Sequence, residues 1–161
     1  MKMKHKIQTG KLLAALAIPL AVGGFSAFLT RDGMRYFQSV SQPPLSPPPW
    51  VFPVVWTILY LMMGAASYLV LTGGASQPRR DRALTVYGFS LAVNFLWPIV
   101  FFTMRFYFGA FLLLLLLWVL AAVAALLFSC IDSRAGKLML PYLVWLTFAA
   151  YLNLGVWLLN R

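Results

Sequence analysis

The chain is predicted to be an all-α membrane protein, a bundle of five transmembrane helices, and three observations predict it. Hydrophobic residues make up 62% of the 161 positions. They gather into five stretches of about twenty residues, the length that crosses a bilayer core of roughly 30 Å as a helix. No Asp, Glu, Lys, Arg or His interrupts any of the five. Residues 1–161 are read as one domain with helices at about 12–30, 51–72, 83–103, 107–129 and 138–160.

The first stretch, Leu12 to Thr30, follows a basic tail of Lys2, Lys4, Lys6 and Lys11. A basic start before an apolar run also fits a secretory signal peptide. Gly24 and Ser26 make a poor cleavage site, however, and the run continues to Leu29, so the segment is read as a span. Pro19 should kink it. From Arg31 to about Trp50 the chain is expected to form an extended strap, because Pro43, Pro44, Pro47, Pro48 and Pro49 fix φ and donate no backbone hydrogen bonds. Such a strap can lie across one mouth of the bundle, or simply space two helices.

The second stretch, Val51 to Thr72, carries Pro53 in its first turn, where a missing N–H costs little. The third, Ala83 to Thr103, should kink at Pro98. The fourth, Tyr107 to Ser129, is nearly all Leu and Ala and reads as a lipid-facing or packing wall. The fifth, Leu138 to Asn160, places Pro141 in its first turn. Short links after the second, third and fourth stretches should make successive helices antiparallel neighbours.

Thirteen Lys and Arg against three acids give a net charge of +10. Such a balance elsewhere points to nucleic acid; here the charges flank the spans and set orientation instead. The tail, the second-to-third loop (Arg79, Arg80, Arg82) and the fourth-to-fifth loop (Arg134, Lys137) hold nine basic residues, against Arg31, Arg35, Arg105 and Arg161 opposite. The N-terminus is therefore expected in the cytoplasm. Cys130 is the lone cysteine and His5 the lone histidine, so neither a disulfide framework nor a metal site is expected. Without an intramembrane ionisable group, energised antiport is disfavoured.

What remains for function is aromatic and amide chemistry. Trp56, Tyr60 and Gly64 share a face of the second helix. Tyr87, Ser90, Asn94, Trp97 and Phe101 stripe the third, and Tyr142, Trp145, Ala149, Asn153 and Val156 the fifth. Trp50, Trp118, Trp157 and Tyr107 lie near helix ends or face an all-leucine surface, which favours an interfacial belt or packing role. Asn94 and Asn153 should face protein or a cavity, since an amide facing hydrocarbon is costly, and serve as interhelical glue or ligand contacts. Gly88 with Ala92, and Ala121 with Ala125, could support close helix contact or a homodimer.

The run from Pro43 through Tyr68, with Trp50, Phe52, Trp56, Leu59-Tyr60, Met63-Gly64 and Ser67-Tyr68, resembles the TspO/MBR family, the tryptophan-rich sensory proteins and translocator proteins also known as peripheral-type benzodiazepine receptors. Asn94-Phe95-Leu96-Trp97-Pro98 and Pro141-Tyr142-Leu143-Val144-Trp145, followed by Leu152-Asn153 and Val156-Trp157, agree in order. The resemblance implies a five-helix bundle, often dimeric, that binds porphyrins such as protoporphyrin IX as ligands rather than cofactors, and synthetic benzodiazepine-site ligands. It implies a pocket of Tyr36, Trp50, Phe52, Trp56, Asn94, Trp97, Trp145, Ala149 and Leu152. Sterol binding is doubtful, because Leu154, Gly155 and Leu158 stand where the family's cholesterol pattern needs aromatic and basic residues; Arg82, Tyr87 and Leu91 satisfy only the weak reversed pattern. The sequence looks like a bacterial member, in the cell membrane. Three functions follow: a porphyrin-binding protein that transports porphyrin or regulates its metabolism and the stress response; a light- and oxygen-dependent porphyrin-degrading enzyme using Trp50 and Trp145; or a ligand-responsive membrane scaffold.

Overall fold

The structure, a computed structural model, describes residues 7–161. Lys2, Lys4, His5 and Lys6, which entered the expected orientation and metal reading, lie outside the described residues. Five α-helices run in order: α1 (Thr9–Phe37), α2 (Val51–Thr72), α3 (Gln77–Pro98), α4 (Tyr107–Ser129) and α5 (Ser133–Leu159), with a π-helical segment, Ile99–Thr103, continuing α3. All five are long and apolar enough to cross a membrane.

Helices α2 and α4 coincide with their apolar runs; the other three extend beyond theirs. Helix α1 has 29 residues, and at 1.5 Å per residue it exceeds the roughly 30 Å hydrocarbon core. Its last two turns can therefore stand in the interface, where charge does not end a helix. Arg35 sits one turn from Asp32 at 3.7 Å and favours the negative end of the helix dipole. The expectation of a strap beginning at Arg31 is corrected accordingly: only residues 38–50 are non-helical. Polar first turns likewise start α3 at Gln77 and α5 at Ser133. Pro141 thus lies well inside α5, not in its first turn.

The α5 start has a clear local cause. The Asp132 carboxylate accepts from the Arg134 backbone N–H at 2.8 Å, an N-cap, and the Arg134 guanidinium returns a hydrogen bond at 2.8 Å. That guanidinium, with backbone N–H groups beside it, holds the Asp132 carboxyl below the usual carboxylate range.

The helices close a ring in the order α1, α2, α5, α4, α3 and back to α1. Helix α4 packs most extensively on α5, and α2 barely touches α3 although a short link joins them. Sequence neighbours are therefore not all spatial neighbours. Gly64 shows why α1 takes the place beside α2: a Cβ there would lie 2.6 Å from the Ala15 carbonyl oxygen and 2.8 Å from the Leu16 Cα. Only glycine permits that approach. The Ala15 carbonyl is also the one Pro19 deprives of its helical donor, and α1 continues through Pro19.

Toward the α1 N-terminal end the bundle is solid. Ala66, Ala83, Ala121, Ala124 and Ala135 are all fully buried, and Met63, Phe128, Met139 and Leu146 fill the space between. Within lipid such contacts stabilise through van der Waals packing, because hydrocarbon solvates a free helix face as well as a protein does. Small residues that bring backbones together raise that contribution.

Pro98 changes the opposite end. It ends regular α3, and the π segment follows, so Ile99 N–H bonds to Leu96 O and not to Phe95 O. The freed Phe95 carbonyl accepts from the Ser26 hydroxyl of α1 at 3.1 Å, as a broken span requires. Below the strap, Phe101 and Phe102 turn inward from this segment.

Candidate ligand cavity

Between the strap and the solid half lies a cavity of about 410 Å³, within the range typical of small-molecule sites. Helix α2 contributes Phe52, Trp56 and Tyr60; α3 and the π segment Asn94, Trp97, Phe101 and Phe102; α5 Trp145, Ala149, Leu152 and Asn153. Among the described residues no Asp, Glu, Lys, Arg or His lines it. The rings pair with one another along the walls. Trp56 stacks on Tyr60 at 5.4 Å, Trp97 on Phe101 at 5.1 Å, and Phe52 meets Trp145 edge-on at 6.0 Å.

Hydrogen bonds fix the floor. The Tyr60 hydroxyl donates to Asn94 Oδ1 at 2.8 Å, and Asn94 Nδ2 donates to the Tyr142 hydroxyl oxygen at 2.8 Å. One amide thus joins α2, α3 and α5. Higher up, Trp97 Nε1 donates to Asn153 Oδ1 at 3.0 Å, and Asn153 Nδ2 donates to the Tyr107 carbonyl at 2.8 Å. Both buried asparagines are interhelical glue, engaged at each end. Trp145 differs: its indole N–H is buried without a partner. An orphaned donor in a wall costs on the order of 1–3 kcal/mol unless something accepts from it.

Of the nine expected pocket residues, seven line this cavity: Phe52, Trp56, Asn94, Trp97, Trp145, Ala149 and Leu152. Trp50 and Tyr36 do not. Trp50 precedes α2 and is 67% exposed; two residues before Phe52, it points away from the face that Phe52 and Trp56 share. Tyr36 is 46% exposed, its ring beneath the Arg105 guanidinium at 3.6 Å. The neighbouring Phe37 faces the cavity instead.

The α1 contribution was missed. Gly23, Ser26, Thr30, Met34 and Phe37 line one side at spacings of three and four, and the two hydroxyl residues in an apolar run were the available signal. Arg31 and Arg35 lie off that face, beside Asp32. Tyr87 and Leu91 of the reversed sterol pattern are buried at 5% exposure each, with Tyr87 against Phe128. Among the described residues no group of His, Cys, Asp and Glu could hold a metal ion.

This arrangement of five spans around an aromatic hollow can be set beside known proteins. The TspO/MBR family model matches residues 15–158. The chain belongs to the TspO/MBR family. It is an integral membrane protein, as its five spans require. The tryptophan-rich protein TspO of Chlorobaculum tepidum is 32% identical over 158 residues, covering 98% of this chain and 99% of that protein. The translocator protein of Ovis aries is 38% identical, covering 86% and 84%. Protein CrtK of Rhodobacter capsulatus is 32% identical, covering 92% of each. The TspO/MBR blocks noted in the sequence fall on the three helices that supply most of the aromatic wall.

Proposed function

We propose that this chain binds tetrapyrroles such as protoporphyrin IX in the cavity and transports them or regulates their metabolism, in a bacterial cell membrane with the N-terminus in the cytoplasm. The supporting observation is an apolar hollow of about 410 Å³ walled by paired aromatic rings. A flat apolar macrocycle stacks on such rings. Benzodiazepine-site ligands, also flat and carrying acceptors, suit the same wall. With Arg31 and Arg35 off the cavity face, the polar groups nearest the mouth are Gln38, Gln42 and Ser46, and these would meet the propionates.

The light-dependent enzyme reading is weakened by geometry. Its two tryptophans are separated: Trp145 lines the cavity while Trp50 lies outside it. Trp56 and Trp97 are the tryptophans that share the hollow with Trp145. Protoporphyrin IX titrated into purified protein should quench tryptophan fluorescence saturably, with weaker binding in Trp56→Phe and Trp145→Phe. Absence of quenching, or identical affinities in both variants, refutes the proposal.

A further inference from the structure

The strap that roofs the cavity has few hydrogen-bond donors of its own. Its prolines at 43, 44, 47, 48 and 49 donate nothing, so beyond one internal turn it takes partners from elsewhere. Helix α5 supplies them along one side of its last turns. Tyr151 donates its hydroxyl to the Pro44 carbonyl at 2.8 Å. Asn160, just past the helix, grips Ser41 at two points, accepting from its N–H at 3.2 Å and donating to its carbonyl at 2.8 Å. Between these lies a steric seat: the Pro43 ring packs on Gly155, where a Cβ would stand 2.6 Å from the Pro43 Cβ and Cγ.

The clasped segment is also strained. Ser46 closes a turn back to the Pro43 carbonyl, N–H at 3.4 Å and hydroxyl at 2.7 Å. That turn forces Leu45 to φ 67°, a left-handed conformation that a residue with a branched side chain resists. The Leu45 side chain is 81% exposed and packs on nothing that would compensate. Ser41, Tyr151 and Asn160 are exposed as well, so no packed core holds these bonds closed. Meanwhile Gln42, Ser46 and Pro47 of the same strap line the cavity. A movement that undoes the α5 contacts therefore opens the mouth.

We infer that Tyr151, Gly155 and Asn160 form a latch on α5 for the strap, and that its release sets how fast the cavity takes up and discharges its guest. The gating half of this inference rests on the guest-binding reading above; the latch itself does not. A latch raises the barrier in both directions, so weakening it accelerates uptake and discharge together and leaves affinity nearly unchanged.

The test combines hydrogen exchange of the full-length protein in lipid nanodiscs with stopped-flow quenching by protoporphyrin IX. Asn160→Ala and Tyr151→Phe remove bonds at exposed positions, while Gly155→Ala keeps every bond partner and displaces Pro43 by its added methyl. Each variant should speed exchange of the strap amides between Ser39 and Ser46 by roughly 5- to 30-fold, the effect of losing one or two kcal/mol of contact. Association and dissociation of protoporphyrin IX should both rise by a similar factor, with Kd within about threefold. Gly88→Ala, whose Cβ meets nothing within 4 Å, should change neither. Unaltered strap exchange in all three variants overturns the latch. Faster exchange with unchanged porphyrin rates overturns the gating. If porphyrin does not bind at all, the guest reading falls and takes the gating with it, while exchange alone still decides the latch.

Discussion

The two halves of the bundle are made of the same kinds of residue and behave oppositely. Toward the α1 N-terminal end, buried alanines at 66, 83, 121, 124 and 135 draw the helices together, and Met63, Phe128 and Met139 occupy what space is left. Toward the strap, Trp56, Trp97, Phe101 and Trp145 pair along the walls and leave a hollow of about 410 Å³. Small residues zip helices shut, whereas rings that stack on each other prop them apart. Asn94 marks the boundary, tying three helices together just where packing gives way to open space.

The contrast breaks most visibly where a solid-half side chain is removed. Phe128→Ala empties a fully buried site and should lower stability by about 3 kcal/mol, read from unfolding in mixed micelles. Ala124→Phe should cost about 2 kcal/mol by overpacking the same region, yet the identical change at Ala149 should cost under about 1 kcal/mol because its side chain faces the hollow. Asn94→Leu removes the boundary bonds and leaves the Tyr60 and Tyr142 hydroxyls without it. At about 1 kcal/mol per bond in a membrane, its loss should be about 2 kcal/mol and should loosen the floor of the cavity, seen as faster exchange in α2 and α5.

Much of this division was legible in the sequence, and the misses have physical causes. The stripes of α2, α3 and α5 follow from spacing alone: Trp56 and Tyr60, Asn94 and Trp97, Trp145 and Ala149 lie on common helical faces. Tyr36 came from the family resemblance; α1 continues to Phe37, and it is Phe37, one position and about 100° further around the helix, that lines the cavity. Trp50 also entered the expected pocket through the family resemblance, and the structure leaves it outside the cavity lining, before the start of α2. The α1 wall was overlooked because Ser26 and Thr30, its available signal, look like ordinary hydroxyls, and Thr30 bonds back to the Ser26 carbonyl at 2.9 Å. That the α2 to α3 link joins non-neighbours depends on α1 fitting against Gly64, a tertiary fact.

The smallest effect lies outside both halves, at the α5 start. Asp132→Ala should cost about 1 kcal/mol through the lost cap. Because the Asp132 carboxyl is held below its usual value near 3.8, its contribution is present above that pH and lost as pH falls through the lowered folded value. Wild type should therefore lose a margin in acid that Asp132→Ala lacks, checked by melting both proteins between pH 2 and pH 6, a range chosen around the carboxylate region.

The most direct measurement is a protoporphyrin IX titration of Ala149→Phe beside wild type, with the unfolding of each followed in parallel. A guest-holding hollow predicts saturable quenching in wild type and its loss in a variant of nearly unchanged stability. Equal porphyrin affinity in the two proteins would mean that the guest sits elsewhere, and would contradict the account.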